Sequence, residues 1–168
     1  MVDKETRSAL IDIVHHEHDH LKRLFTDIEA SFTKIVAGES DVESESEALE
    51  SAAENLGVAL EEMLHHFNQE EEVFFVDLEE RFPELSDDIA GLVEAHEEMC
   101  DKTRWLRQHI GGEADEIAAD AEEILEVLQA MSELLSNHTE EENRIFGLAL
   151  EKMPKEEQDE LLDEMRKI

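Results

Sequence analysis

His66-Phe67-Asn68-Gln69-Glu70 runs on to Val73-Phe74, and His138-Thr139-Glu140-Glu141-Glu142 runs on to Ile145-Phe146. Both stretches place a glutamate one helical turn after a histidine, then a β-branched residue and a phenylalanine. Both histidines also lie on apolar stripes with three-four spacing, the signature of a helix facing a core. Two further histidines, His18 and His96, occupy the same kind of position on two other predicted helices. A hydrophobic interior does not accept four imidazoles and two carboxylates unless something binds and neutralises them. A metal centre, with two ions, is the economical explanation.

Working outward from these stretches gives the helices. The first is expected over about 6–37, with Ile11, Val14, Leu21, Phe25, Ile28 and Phe32 inward. Gly38 and the acidic, serine-rich run 39–47 form a linker, in which Ser44 and Glu47 are expected to make a capping box. The second helix is expected to run unbroken to about Glu80, with Ala52, Leu56, Ala59, Met63, His66, Glu70 and Val73 on one seam. Ser86-Asp87-Asp88 opens the third, which carries Ile89, Leu92, His96, Met99, Thr103, Leu106 and Ile110 inward. Gly111-Gly112 breaks it, and a loop over 111–116 is expected to absorb a register mismatch with the fourth helix. That helix presents Ile117, Ala121, Ile124, Leu128, Met131, Leu135, His138, Glu142, Ile145 and Ala149, and Met153-Pro154 ends it. Leu161, Leu162 and Met165 mark a short C-terminal helix. The predicted fold is all-α: an up-down-up-down antiparallel four-helix bundle over about 6–153, closed by a helix over about 155–167, in one domain spanning 1–168.

Composition agrees. Only two prolines and six glycines interrupt 168 residues rich in Glu, Asp, Leu and Ala. The formal charge of −33, from 47 acids against 14 bases, excludes nucleic acid as a partner by repulsion. It concentrates cations near the surface and fits a high-salt cytoplasm, though ordinary solvated helix faces are the better account of it. No apolar run approaches the roughly 20 residues needed to span a bilayer, so no membrane association is expected. Met1-Val2-Asp3-Lys4-Glu5 lacks the features of a signal peptide, and a cytoplasmic location is the expectation. Cys100 is the one cysteine, which excludes an intrachain disulfide and a thiolate zinc site.

Residues four apart share a helix face, so His66/Glu70 and His138/Glu142 can each offer a nitrogen and an oxygen to one site. His18 and His96 complete it from the other two helices. Imidazole and carboxylate without thiolate suit iron, manganese or zinc. Four matched histidines and two glutamates outweigh the ordinary reading of each as a hydrogen-bonded core histidine or an exposed acid. Glu142 is preferred to Glu141 because it lies on the stripe. Glu17-x-x-His20 and Glu62-x-x-His65 fit the string used by ferritin-like bundles but fall off the stripes, so that ligation is set aside.

With these residues in view, the chain resembles the hemerythrin-like, or HHE cation-binding, family, and most closely its prokaryotic hemerythrin-like members. The resemblance covers nearly the whole chain and rests on His18-Asp-His-Leu-Lys-Arg-Leu, His66-x-x-x-Glu70, Ala95-His96-Glu97 and His138-x-x-x-Glu142. It implies two iron ions in a non-haem, oxo- or hydroxo-bridged centre. His18 and His66 would hold one, His96 and His138 the other, with Glu70 and Glu142 bridging. It also implies dioxygen, peroxide or nitric oxide as the small ligand. The chain departs from the oxygen carriers twice: Cys100 stands where they have a second third-helix histidine, and Asn143 where they have an aspartate. Two six-coordinate ions need about twelve ligand positions, and this set leaves about two open. Such openness favours sensing or redox chemistry over reversible carriage.

His15 borders the stripe as a candidate fifth ligand or proton donor, and Cys100 sits one turn beyond His96 as a candidate thiol ligand or buried hydrophobe. His16, His20, His65 and His109 are expected at the surface. Phe25, Phe67, Phe74 and Phe146 are expected in the core, and no role is evident for Trp105. The expected function is binding or sensing of dioxygen or a related oxidant. A ferroxidase or peroxide-consuming enzyme on the same centre is the alternative, weakened by the lack of a dedicated acid or base beyond His15. A metal-dependent regulatory or structural module is the third reading, and the protein partner it would need is not identifiable from the residues.

Overall fold

The computed structural model describes residues 4–167, and the side chains of 9–167 except 11 and 13–17. The expected inward positions Ile11 and Val14, and the side chains of His15, His16 and Glu17, therefore lie outside the described residues. The chain runs α1 (Lys4–Val36), α2 (Ser46–Gln69), a π-helical turn (Glu70–Phe74), α3 (Phe75–Arg81), α4 (Ser86–Ile110), α5 (Ala114–Lys152) and α6 (Lys155–Arg166). A 3-10 turn, Pro83–Leu85, precedes α4. No strand occurs among the described residues. α1 packs on α2 and α5, and α4 packs on α2 and α5, so the four long elements close into a bundle in that order.

The apolar stripes meet in the middle, where the described side chains form two clusters. One cluster holds Phe25, Phe32, Leu56, Met63, Phe67, Met99, Leu128 and Leu135. The second holds Leu10, Phe74, Phe75, Leu78, Leu92, Ile145, Phe146 and Met165. On every bundle helix the crossing from one cluster to the other happens at the histidines and glutamates. On α5, for example, Leu135 belongs to the first cluster, Ile145 to the second, and His138 and Glu142 lie between. The site is thus a polar layer sealed from above and below by apolar side chains.

Three local features differ from the sequence expectation. First, the second bundle helix is not continuous. The π turn inserts one residue beyond the α-helical repeat, so after Glu70 the buried positions become Phe74, Phe75 and Leu78, while Val73 is only partly buried. Second, the Ser44–Glu47 capping box does not form. Glu45 precedes α2 without a side-chain cap, and the Ser44 N–H is taken by Asp41 Oδ1 at 2.7 Å, in the turn leading to the helix. A capping box does form at α5, between Glu113 and Glu116. Third, the loop between α4 and α5 is only 111–113, because α5 starts at Ala114. The mismatch is not absorbed there; α4 ends nearer its histidine than α5 begins from its own, and a cleft of about 450 Å³ floored by Leu49, Ile110 and Ile117 lies at that end.

Gly38 closes α1 with φ +74°, a left-handed conformation that a side chain disfavours. Pro154 precedes α6 as expected. α6 packs on α1 and on the π turn. Gln69 Nε2 donates to the Met165 carbonyl at 3.0 Å, and Arg81 pairs with Glu157. The buried Gln158 donates its amide to the Leu150 and Met153 carbonyls at 2.9 and 2.8 Å. Those are among the orphan acceptors every helix C-terminus leaves. Among the described residues no helix is long and apolar enough to cross a membrane.

Candidate metal centre

His18 comes from α1, His66 from α2, Glu70 from the first position of the π turn, His96 from α4, and His138 and Glu142 from α5. All six are 0–3 % exposed. Their ligating atoms fall into two sets whose members lie within 4.8 Å of one another: Glu70, His96, His138 and Glu142, and His18, His66 and Glu70. The sequence-derived residues are thus brought together at one depth of the bundle.

The carboxylates are oriented in a matching way. Glu70 Oε1 is 3.0 Å from His66 Nε2, and its Oε2 is 3.1 Å from His96 Nε2. Glu142 Oε1 is 2.6 Å from His138 Nε2, and its Oε2 is 3.3 Å from His18 Nε2. Each glutamate therefore turns one oxygen toward the His18/His66 side and the other toward the His96/His138 side. The contacts are close but poorly angled: none of the four carboxylate oxygens makes a hydrogen bond, nor does His66 Nε2. Buried polar atoms without hydrogen bonds are costly. Four inward oxygens and the nitrogens facing them form a hard donor set, and cations between them would satisfy it.

Outer contacts orient two of the imidazoles. Thr139 donates its hydroxyl proton to the Leu135 carbonyl at 2.8 Å, so its oxygen accepts from His18 Nδ1 at 3.3 Å. The Glu71 carboxylate accepts from His96 Nδ1 at 2.9 Å. Both bonds place a proton on Nδ1 and leave Nε2 facing inward. The Phe67 ring lies parallel to His96, 3.8 Å between centroids, and Phe75 is near-parallel at 5.7 Å.

Charge in the metal-free cluster is settled by protons. Burial pushes Glu70 up, but the His66 and His96 imidazoles outweigh it and hold its carboxyl well below the usual range. Burial and then the negative charge of Glu70 push Glu142 well up. Burial pulls His96 down, yet the carboxylates of Glu142, Glu70 and Glu71 carry it up to about 10. His138 is pulled down to about 3 by burial and by positive charge on His96. Two carboxylates this close cannot share the ionised state without a positive partner.

The other candidates fall outside the cluster. Cys100 is buried and belongs to neither ligand set; burial pushes its thiol up, which fits a small hydrophobe. It borders a cleft of about 240 Å³, lined also by Phe67, Glu71, His96 and Arg104, that brings solvent toward His96. His15 lies outside the described side chains. His20, His65 and Glu62 are exposed, so ferritin-like ligation finds no support there. His109 is not a free surface residue: it is partly buried, its Nδ1 bonds the Trp105 carbonyl at 2.8 Å, and its ring stacks on the Trp105 indole. Trp105 thereby packs the flank of α4.

Three residues at the site escaped the sequence reading. Glu71 sits in the acidic run Glu70–Glu72, where nothing distinguishes it from a solvated neighbour. Phe75 falls off the seam of a continuous α-helix, and the double aromatic Phe74-Phe75 was its one signal. Thr139, in the turn between His138 and Glu142, looks like a helix-flank residue.

The family described as Hemerythrin HHE cation binding domain matches residues 9–167. No curated protein and no solved structure matches the chain.

Proposed function

Because the chain belongs to the hemerythrin HHE cation-binding domain family, we propose that its metal site is a non-haem di-iron centre that binds or senses dioxygen or a related small oxidant such as peroxide or nitric oxide. His18 and His66 would hold one ion, His96 and His138 the other, and Glu70 and Glu142 would be shared. The observation that carries this reading is the orientation of the two glutamates, each with one oxygen toward either histidine pair. Iron bound there would supply the electrons and the open coordination positions that a small oxidant needs.

The remaining work belongs to the chain's own side chains. Thr139 and Glu71 hold the Nε2 atoms of His18 and His96 inward. The Phe67 and Phe75 rings fix the plane of His96 and, with Phe74 and Phe146, keep bulk water from the layer. Among the described residues two narrow openings approach the layer: the cleft beside His96, and a second of about 130 Å³ between α1 and α5 that reaches His18. Small portals of this kind suit diatomic or peroxide-sized ligands.

Elemental analysis of the isolated protein tests the metal reading, with two iron atoms per chain expected. Near-ultraviolet absorption that appears with ferric iron and is lost in His66→Ala would support the ligand assignment. Protein that stays colourless and metal-free after iron loading overturns it. The two portals also favour a second reading, a ferroxidase or peroxide-consuming catalyst on the same centre. Many turnovers of ferrous oxidation or peroxide loss per chain would establish that version, and strictly stoichiometric oxidation would dismiss it.

A further inference from the structure

Outside the six clustered side chains, one other carboxylate among the described residues touches a candidate ligand imidazole at its outer nitrogen. Glu71 Oε1 lies 2.9 Å from His96 Nδ1, and its side chain is 31 % exposed while His96 is 2 % exposed. Glu71 belongs to neither set of ligating atoms. The comparable nitrogen of His18 meets the neutral hydroxyl of Thr139 at 3.3 Å, and His138 Nδ1 makes no hydrogen bond.

Neighbouring residues on an α-helix point about 100° apart, and the core-facing stripe of α2 is wide enough to bury adjacent pairs such as His66 and Phe67. The π turn Glu70–Phe74 tightens that angle by accommodating an extra residue. Glu70 then reaches the cluster, Glu71 reaches the outer edge of His96, and Phe75, one turn after Glu71, lies near-parallel to the same imidazole. The rare helical geometry thus supplies two of the groups that hold one ligand. π turns inside α-helices often mark functional sites.

We propose that Glu71 is a positioning residue for the metal centre, fixing His96 with its Nδ1 proton outward and its Nε2 toward the cation and making that nitrogen the stronger donor. This rests on the reading of the cluster as a metal centre. A carboxylate on the outer nitrogen of a ligating histidine locks the tautomer and ring orientation and raises ligand basicity, and losing it typically costs about 10–100-fold in metal affinity. Greater donation stabilises the more oxidised ion, so Glu71 also lowers the reduction potential of the centre.

The test uses the full chain with three substitutions. Glu71→Gln keeps an acceptor oxygen and removes the charge, Glu71→Leu removes both, and Glu72→Gln removes a charge from the exposed neighbour. Cobalt(II) affinity is read by chelator competition, and the reduction potential is read on iron-loaded protein. Glu71→Leu should bind the same number of ions about 10–100-fold more weakly, with Glu71→Gln between it and the wild type. Both should raise the potential, and Glu72→Gln should do neither. If Glu71→Leu fails to fold, Glu71→Gln against Glu72→Gln carries the decision. Equal shifts in those two variants, or none, overturn the proposal. So does loss of one ion per chain in Glu71→Leu, which would make Glu71 itself a ligand. Wild-type protein that takes up neither metal overturns the metal centre along with it, whereas normal wild-type loading with indifferent Glu71 variants overturns this inference alone.

Discussion

Burial acts on His138 and Glu142 in opposite senses although they are 2.6 Å apart. It strips the proton from the imidazole and keeps it on the carboxyl, because in both cases the charged form is the one disfavoured. His96 is the exception: its carboxylate neighbours raise it to about 10, so at neutral pH the metal-free protein keeps a proton there. The sign of the linkage follows. A raised histidine is held in its protonated form below about 10, and a cation must displace that proton to reach the imidazole. Metal loading in weakly buffered solution at neutral pH should therefore release protons, read with an indicator dye. Apparent zinc affinity should rise with pH between about 6 and 8; a flat profile would contradict the charge assignment. At this scale Glu142 was legible and Glu71 was not, for one reason. Glu142 falls on the apolar stripe and repeats the His66/Glu70 spacing, whereas Glu71 lies at the stripe's edge inside an acidic run and carries no spacing of its own.

Helices α1, α4 and α5 follow the three-four apolar pattern closely, and their ends agree with their punctuation by Gly38, Gly111 and Pro154. The π turn does not follow, because it answers to packing between elements: Phe74 and Phe75 both find burial on α6 and α5 partners, and one extra residue is the adjustment that allows it. The Ser44–Glu47 reading failed for a related reason, since Asp41 reaches the Ser44 N–H first. Gln158 ties the C-terminal helix to the end of α5 through two carbonyls. Gln158→Leu conserves bulk but leaves both acceptors buried and unanswered, and should lower unfolding free energy by about 1–3 kcal/mol. Urea denaturation of both proteins measures this, and an unchanged midpoint would show that the carbonyls find water instead.

Across the whole molecule, the charge of −33 is spread over helix faces that repel one another. Added monovalent salt should raise the melting temperature, most steeply at low ionic strength where screening changes fastest; thermal melts across a sodium chloride series check this. The bundle order and the shared depth of the six clustered residues were both legible, because loop lengths and the rise per residue constrain them. The division of the apolar interior was less so, since a stripe read along one helix does not reveal that its two ends belong to separate clusters. That division has a consequence for cooperativity. Among the described side chains the Phe25–Leu135 cluster and the Phe74–Met165 cluster are separated by a layer of ionisable groups. Without cations to act as a keystone, the halves become thermodynamically semi-independent foldons. Thermal melts should then show two transitions without added metal and one sharp transition with it.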